Sequence, residues 1–130
     1  MKATQTVGLK WRSFGKLTEA RSIFRNQPCV YMHTDKLRNP IRVGVASKEL
    51  GSRYRGGTGY SLDAAMHDSG NLIFVAPMSA ALCRAVELEL IWRGRKLLHY
   101  NNVGKLTPPI VRLNLVHEGD VPRLDAFREA

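Results

Sequence analysis

The stretch from Gly70 to Pro77 constrains the fold most strongly, because it carries the unbroken apolar run Leu72-Ile73-Phe74-Val75-Ala76. A short run without polar alternation, bounded by Gly and Pro, fits a buried strand. A buried strand needs neighbours to pair with and helices to cover it. Ser79 then stands as an N-cap for the longest helix, which runs to Arg93 and stops at Gly94. Upstream, Cys29-Val30-Tyr31-Met32-His33 is rich in strand formers, and Ile41 to Ala46 alternates apolar residues with Arg42 and Gly44. The polar turn Thr34 to Pro40 between them predicts an antiparallel hairpin.

The remaining segments are shorter. Leu17 to Phe24 reads as a helix with Thr18 as N-cap and Glu19 in its first turn, stopped by Pro28. Lys48 to Tyr54 reads as another, capped by Ser47 and broken by Gly56-Gly57-Thr58-Gly59, after which Ser61 to His67 forms a further turn or two. Ile110 to Val116 alternates again, whereas Met1 to Arg12 shows no clear period. These elements predict an α+β fold: a small three-stranded antiparallel sheet flanked by helices, with room for an extra C-terminal strand. At 130 residues the expectation is one domain over 1–130, its core at 28–105, with N- and C-terminal extensions.

Composition excludes several classes. Apolar residues at 44% and charged residues at 24% suit a chain that buries a core, not a disordered one. No apolar run approaches the roughly 18 residues of a membrane span. Met1 to Arg12 lacks the apolar block of a signal peptide, which predicts a reducing cytoplasmic compartment with Cys29 and Cys83 as free thiols. Two cysteines and His33, His67, His99 and His117 have no ligand spacing, so a zinc finger is excluded and all four histidines read as surface or loop residues. Trp11 and Trp92 read as packing groups.

The charge is uneven. The chain carries +9, thirteen of its twenty basic residues are Arg, and residues 1–60 hold twelve basic against three acidic side chains. An Arg-rich excess concentrated in one half favours a polyanionic partner, since the guanidinium fork binds phosphate bidentately.

Five places in order carry a more specific signal. They are Val30-Tyr31, Val43-Gly44, Leu50-x-x-Arg53, Glu87 with Leu90-Ile91, and Tyr100-Asn101. This order and spacing resembles the GIY-YIG nuclease superfamily over residues 28–105. Cys29 replaces the first Gly of the leading triad, and the second triad reads Arg42-Val43-Gly44. Gly57 stands where many members carry His or Tyr, a role Tyr60 fills only if the chain folds back. The resemblance implies a Mg²⁺- or Mn²⁺-dependent endonuclease acting on DNA. Glu87 would be the metal ligand, Arg53 and Arg42 would stabilise the phosphate, Tyr31 would orient or deprotonate water, and Asn101 (or Asn102 in the adjacent register) would support that geometry.

Each residue also has a plain structural reading. Tyr31 packs across strands, and a phenol with pKa about 10 acts as a base only beside a cation or metal. Arg53 and Arg55 are solvated helix residues beside a flexible glycine turn. Glu87 lies on the core-facing stripe with Cys83, Leu90 and Ile91, where a carboxylate needs a partner, either a metal or Arg84. Glu89 reads as an exposed ion pair with Arg93, worth at most about 0.5 kcal/mol. The changes at Cys29, Arg42 and Gly57 motivate the alternative function, a non-catalytic nucleic-acid-binding module with a degenerate nuclease site.

Overall fold

The computed structural model describes residues 5–50, 71–98, 101, 105 and 107–127. The chain enters through β1 (Gln5–Phe14) and the short helix α1 (Leu17–Ile23). The hairpin β2 (Cys29–Thr34) and β3 (Pro40–Ala46) follows, then β4 (Leu72–Pro77), helix α2 (Ala80–Arg93) and β5 (Leu113–Gly119). The strands form one sheet in the order β3-β2-β4-β1-β5. Neighbours pair antiparallel except β1 and β5, which run parallel from Gln5 opposite Leu113 to Trp11 opposite Gly119.

The α+β class and the hairpin match the sequence reading, and α2 spans the expected residues. The extra C-terminal strand is present as β5, but the sheet has five strands and is mixed, where three antiparallel strands with room for that one were expected. The difference is β1, which places Val7, Leu9 and Trp11 in the core while Thr6, Gly8, Lys10 and Arg12 stay exposed. That alternation is a half-buried strand, and its partner β5 lies about a hundred residues away in sequence. Helix α1 begins at Leu17 behind Lys16, with no side-chain cap, so the expected Thr18 cap is not used. Of the expected Lys48–Tyr54 helix only 48–50 lie within the described residues, where Leu50 is buried.

Two apolar clusters lie on the two faces of the sheet. On one, Val30, Met32, Val43, Phe74 and Ala76 meet Cys83, Val86, Leu90 and Ile91 of α2. On the other, Cys29, Tyr31, Ala46, Ile73 and Val75 meet Ala20 and Phe24 of the α1 region. Two-sided cover explains why the β4 run carries no polar alternation.

Polar groups fasten the far end of the sheet. Asp120 accepts from Ser13 and pairs with Arg38, joining the ends of β1 and β5 to the β2–β3 turn. Gly119 takes φ +83°, and a Cβ there would lie 2.5 Å from the Trp11 carbonyl oxygen, so glycine is required. The Trp11 indole donates to His117 Nδ1 at 2.9 Å. His117 is thus a half-buried strand residue and His33 is wholly buried in β2. Both correct the surface-or-loop expectation; His67 and His99 lie outside the described residues. Cys29 and Cys83 are both buried, one in each apolar cluster, with no disulfide between them. Among the described residues no helix is long and apolar enough to cross a membrane.

Candidate functional site

Tyr31 and Arg42 leave the sheet on one face. Tyr31 stands opposite Gly44 in the β2–β3 register and Arg42 opposite His33, and cross-strand partners share a face. The Tyr31 ring lies over Gly44 so closely that a Cβ there would sit 2.3 Å from Tyr31 Cζ. It also meets His33 edge-on at 5.5 Å between centroids. Gly44 therefore makes room for a buried phenol ring.

Glu87 belongs to α2, on the opposite face. It is buried at 6% exposure among Cys83, Val86 and Leu90. Its carboxylate accepts from Arg84 one helical turn earlier, with the Glu87 side chain 8% and the Arg84 side chain 63% exposed. The sheet thus separates Tyr31 and Arg42 from Glu87. Arg53 lies outside the described residues, as do Arg55, Gly57, Tyr60, Tyr100 and Asn102.

Asn101 is spent on the backbone. Val43 N–H donates to its Oδ1 at 2.8 Å, and its Nδ2 donates to Val43 C=O at 2.9 Å. Because β3 is an edge strand, the amide stands in for one residue of a neighbouring strand and satisfies two buried polar groups.

The carboxylate with the richest surroundings is Glu89, not Glu87. It is fully buried and accepts from Arg93 Nε at 2.8 Å, from Arg112 Nε and Nη2 at 3.0 Å each, and from the Leu113 amide at 2.9 Å. Arg93 also donates to the Leu113 carbonyl at 2.8 Å. Burial alone would raise the Glu89 pKa, but the hydrogen bonds from Arg112, Leu113 and Arg93 outweigh it and hold the pKa below the ordinary value. The exposed-pair expectation for Glu89 is corrected accordingly. The missed partners, Arg112 and Leu113, come from β5 and its approach, beyond the reach of helical spacing.

The Glu89 carboxylate is saturated by its donors. Each Glu89 oxygen accepts two donors, which leaves no coordination site, and the Glu87 carboxylate is engaged by Arg84. Among the described residues no group of three or more His, Cys, Asp or Glu side chains could hold a metal. Burial, followed by the Glu87 charge, pushes the Cys83 thiol up to about 11, so it is no thiolate nucleophile at neutral pH.

Among the described residues, two groups of arginines stand out. Arg38, Arg84, Arg93 and Arg112 are ion-paired, whereas Arg12, Arg21 and Arg25 are exposed and have no ion-pair partner. Neither a protein-family model, nor a curated protein, nor a solved structure matches the chain.

Proposed function

We propose that the protein is a non-catalytic nucleic-acid-binding module whose ligand is DNA. The observation that carries this reading is the charge distribution: a chain of +9 ties four arginines into ion pairs and, among the described residues, leaves Arg12, Arg21 and Arg25 exposed with no ion-pair partner. Unpaired guanidinium groups on a basic chain attract phosphate without needing a shaped pocket. The candidate catalytic groups support binding over turnover, because Tyr31 and Glu87 sit on opposite faces and Arg84 occupies Glu87.

A second reading, a Mg²⁺- or Mn²⁺-dependent endonuclease, keeps one geometric support: Tyr31, Gly44 and Arg42 do share a face of the hairpin. The test is equilibrium binding of a labelled random-sequence DNA duplex at about 50 and 200 mM salt. The binding-module reading expects affinity to fall at least about tenfold between the two. No binding at the lower salt, or an affinity indifferent to salt, would overturn it.

A further inference from the structure

We infer that the nucleic-acid interface is the surface formed by β1 and α1, and that it grips the phosphate backbone of double-stranded DNA without reading bases. The inference rests on the nucleic-acid reading and adds the surface and the form of ligand. Five cations define the surface: Lys10 and Arg12 on β1, Lys16 in the connecting turn, and Arg21 and Arg25 at the end of α1 and just past it. All five are exposed, and among the described residues none has an ion-pair partner.

Local structure brings them together. Lys10 and Arg12 are two residues apart on one strand and share the face of Phe14. Only Gly15 and Lys16 separate β1 from α1, so the helix folds straight back onto that face, where Ala20 and Phe24 join Phe14 in one cluster. The Arg12 guanidinium lies 5.4 Å from the Phe14 ring centroid and 5.9 Å from that of Phe24. Those two rings meet edge-on and form a platform that holds the guanidinium while its N–H groups stay in water. Arg21 lies in the last turn of α1, and Arg25 follows its C-cap Phe24. The nearby carboxylates are fewer: Glu19 on α1, Glu118 opposite Lys10 in register, and Glu49, which accepts from the Asn26 amide beside Arg25.

The duplex follows from how this surface holds its described rings, with Phe14 and Phe24 buried beneath Arg12. Single-strand binders stack bases on exposed rings. Among the described residues Trp11, Phe14, Phe24, Tyr31, Phe74 and Phe127 are all buried, and Arg95 covers Trp92 at 3.7 Å. Cations without stacking platforms contact phosphates, which position a duplex and carry no base information.

Five phosphate contacts imply a slope of about −4.5 in log affinity against log salt on duplex DNA. Replacing Arg12, Arg21 and Arg25 together by Gln should bring it to about −2, and the double variant R21Q/R25Q, which leaves the Phe platform untouched, to about −3. A K96Q control, at an exposed position just past α2, removes charge elsewhere and should keep most of the wild-type slope. The measurement is fluorescence anisotropy with a labelled random duplex, and with a single strand of equal length as competitor. Wild-type binding with an unchanged slope in both Arg variants would overturn the inference while leaving the nucleic-acid reading intact. So would tighter binding of the single strand than of the duplex. No wild-type binding at low salt would overturn both.

Discussion

Replacing Glu89 by Gln should be among the most damaging single changes in the protein. The side chain is fully buried, and the guanidinium groups it neutralises belong to Arg93 and Arg112, only 11% and 10% exposed. Gln keeps the shape but removes the charge, leaving two cations in a nearly dry site and turning one accepting oxygen into a donor that faces donors. Removing one partner of a buried ion pair costs about 3–5 kcal/mol, against at most about 0.5 kcal/mol for an exposed pair at the same helical spacing. Because a domain has only about 5–15 kcal/mol of stability, the variant would lose a large share, with Tm lower by roughly 10–20 °C. Urea denaturation followed by circular dichroism measures it directly. The pH dependence provides a second reading. Glu89 has its pKa lowered in the folded state, so the unfolded chain takes up the proton first as pH falls. The stabilisation is complete above the ordinary 4.5 and is lost as pH drops below it. The Gln variant should lack that component. A loss below about 1 kcal/mol would show that Glu89 behaves as an exposed pair and would refute the reasoning.

Three further predictions follow from named contacts. Asn101→Ala strands the Val43 N–H and C=O on the sheet edge and should cost about 2–6 kcal/mol in urea titrations, since each buried unpaired group costs about 1–3. Gly44→Ala forces a Cβ against the Tyr31 ring and should destabilise by about 1–3 kcal/mol; a double variant with Tyr31→Ala should recover part of the overlap cost in a double-mutant cycle. His117 accepts from Trp11, and burial, followed by the Arg93 charge, keeps its pKa below the ordinary 6.5. Its stabilisation should therefore be complete above pH 6.5 and erode as pH falls below it, with His117→Gln giving a flatter profile of urea midpoint against pH.

Elements whose ends are marked by Pro or Gly and whose interior follows one period were legible from sequence. Residues Leu72–Pro77 and Ala80–Arg93 show this: Gly70, Pro77 and Gly94 bound them, and their apolar content states their burial. β1 was not legible, because Gly8 and three exposed polar residues dilute an alternation of only Val7, Leu9 and Trp11, and its pairing partner β5 is distant. Glu87 is buried and paired with Arg84, as its place on the core-facing stripe suggested, but Glu89 was misread as exposed for a similar reason. Glu87 with Arg84, and Glu89 with Arg93, look alike at helical spacing. What makes Glu89 the structural centre is Arg112 and the Leu113 amide, placed there only once β5 docks beside α2. Asn101 was singled out for a supporting hydrogen-bonding role, and its hydrogen bonds go to an edge strand 58 residues earlier. His33 faces inward with Tyr31, a parity the strand pattern contains, but its polar type pointed to the surface.

The central claim is that this protein holds DNA without cutting it. It is tested most directly by incubating supercoiled plasmid with wild-type protein in Mg²⁺ at low salt. One half of the sample is run as the complex, the other after the protein is stripped away. The account predicts a retarded complex and, after stripping, plasmid that is still supercoiled. It would be contradicted by no retardation, or by nicked or linear DNA that accumulates with wild-type protein and disappears with Glu87→Gln.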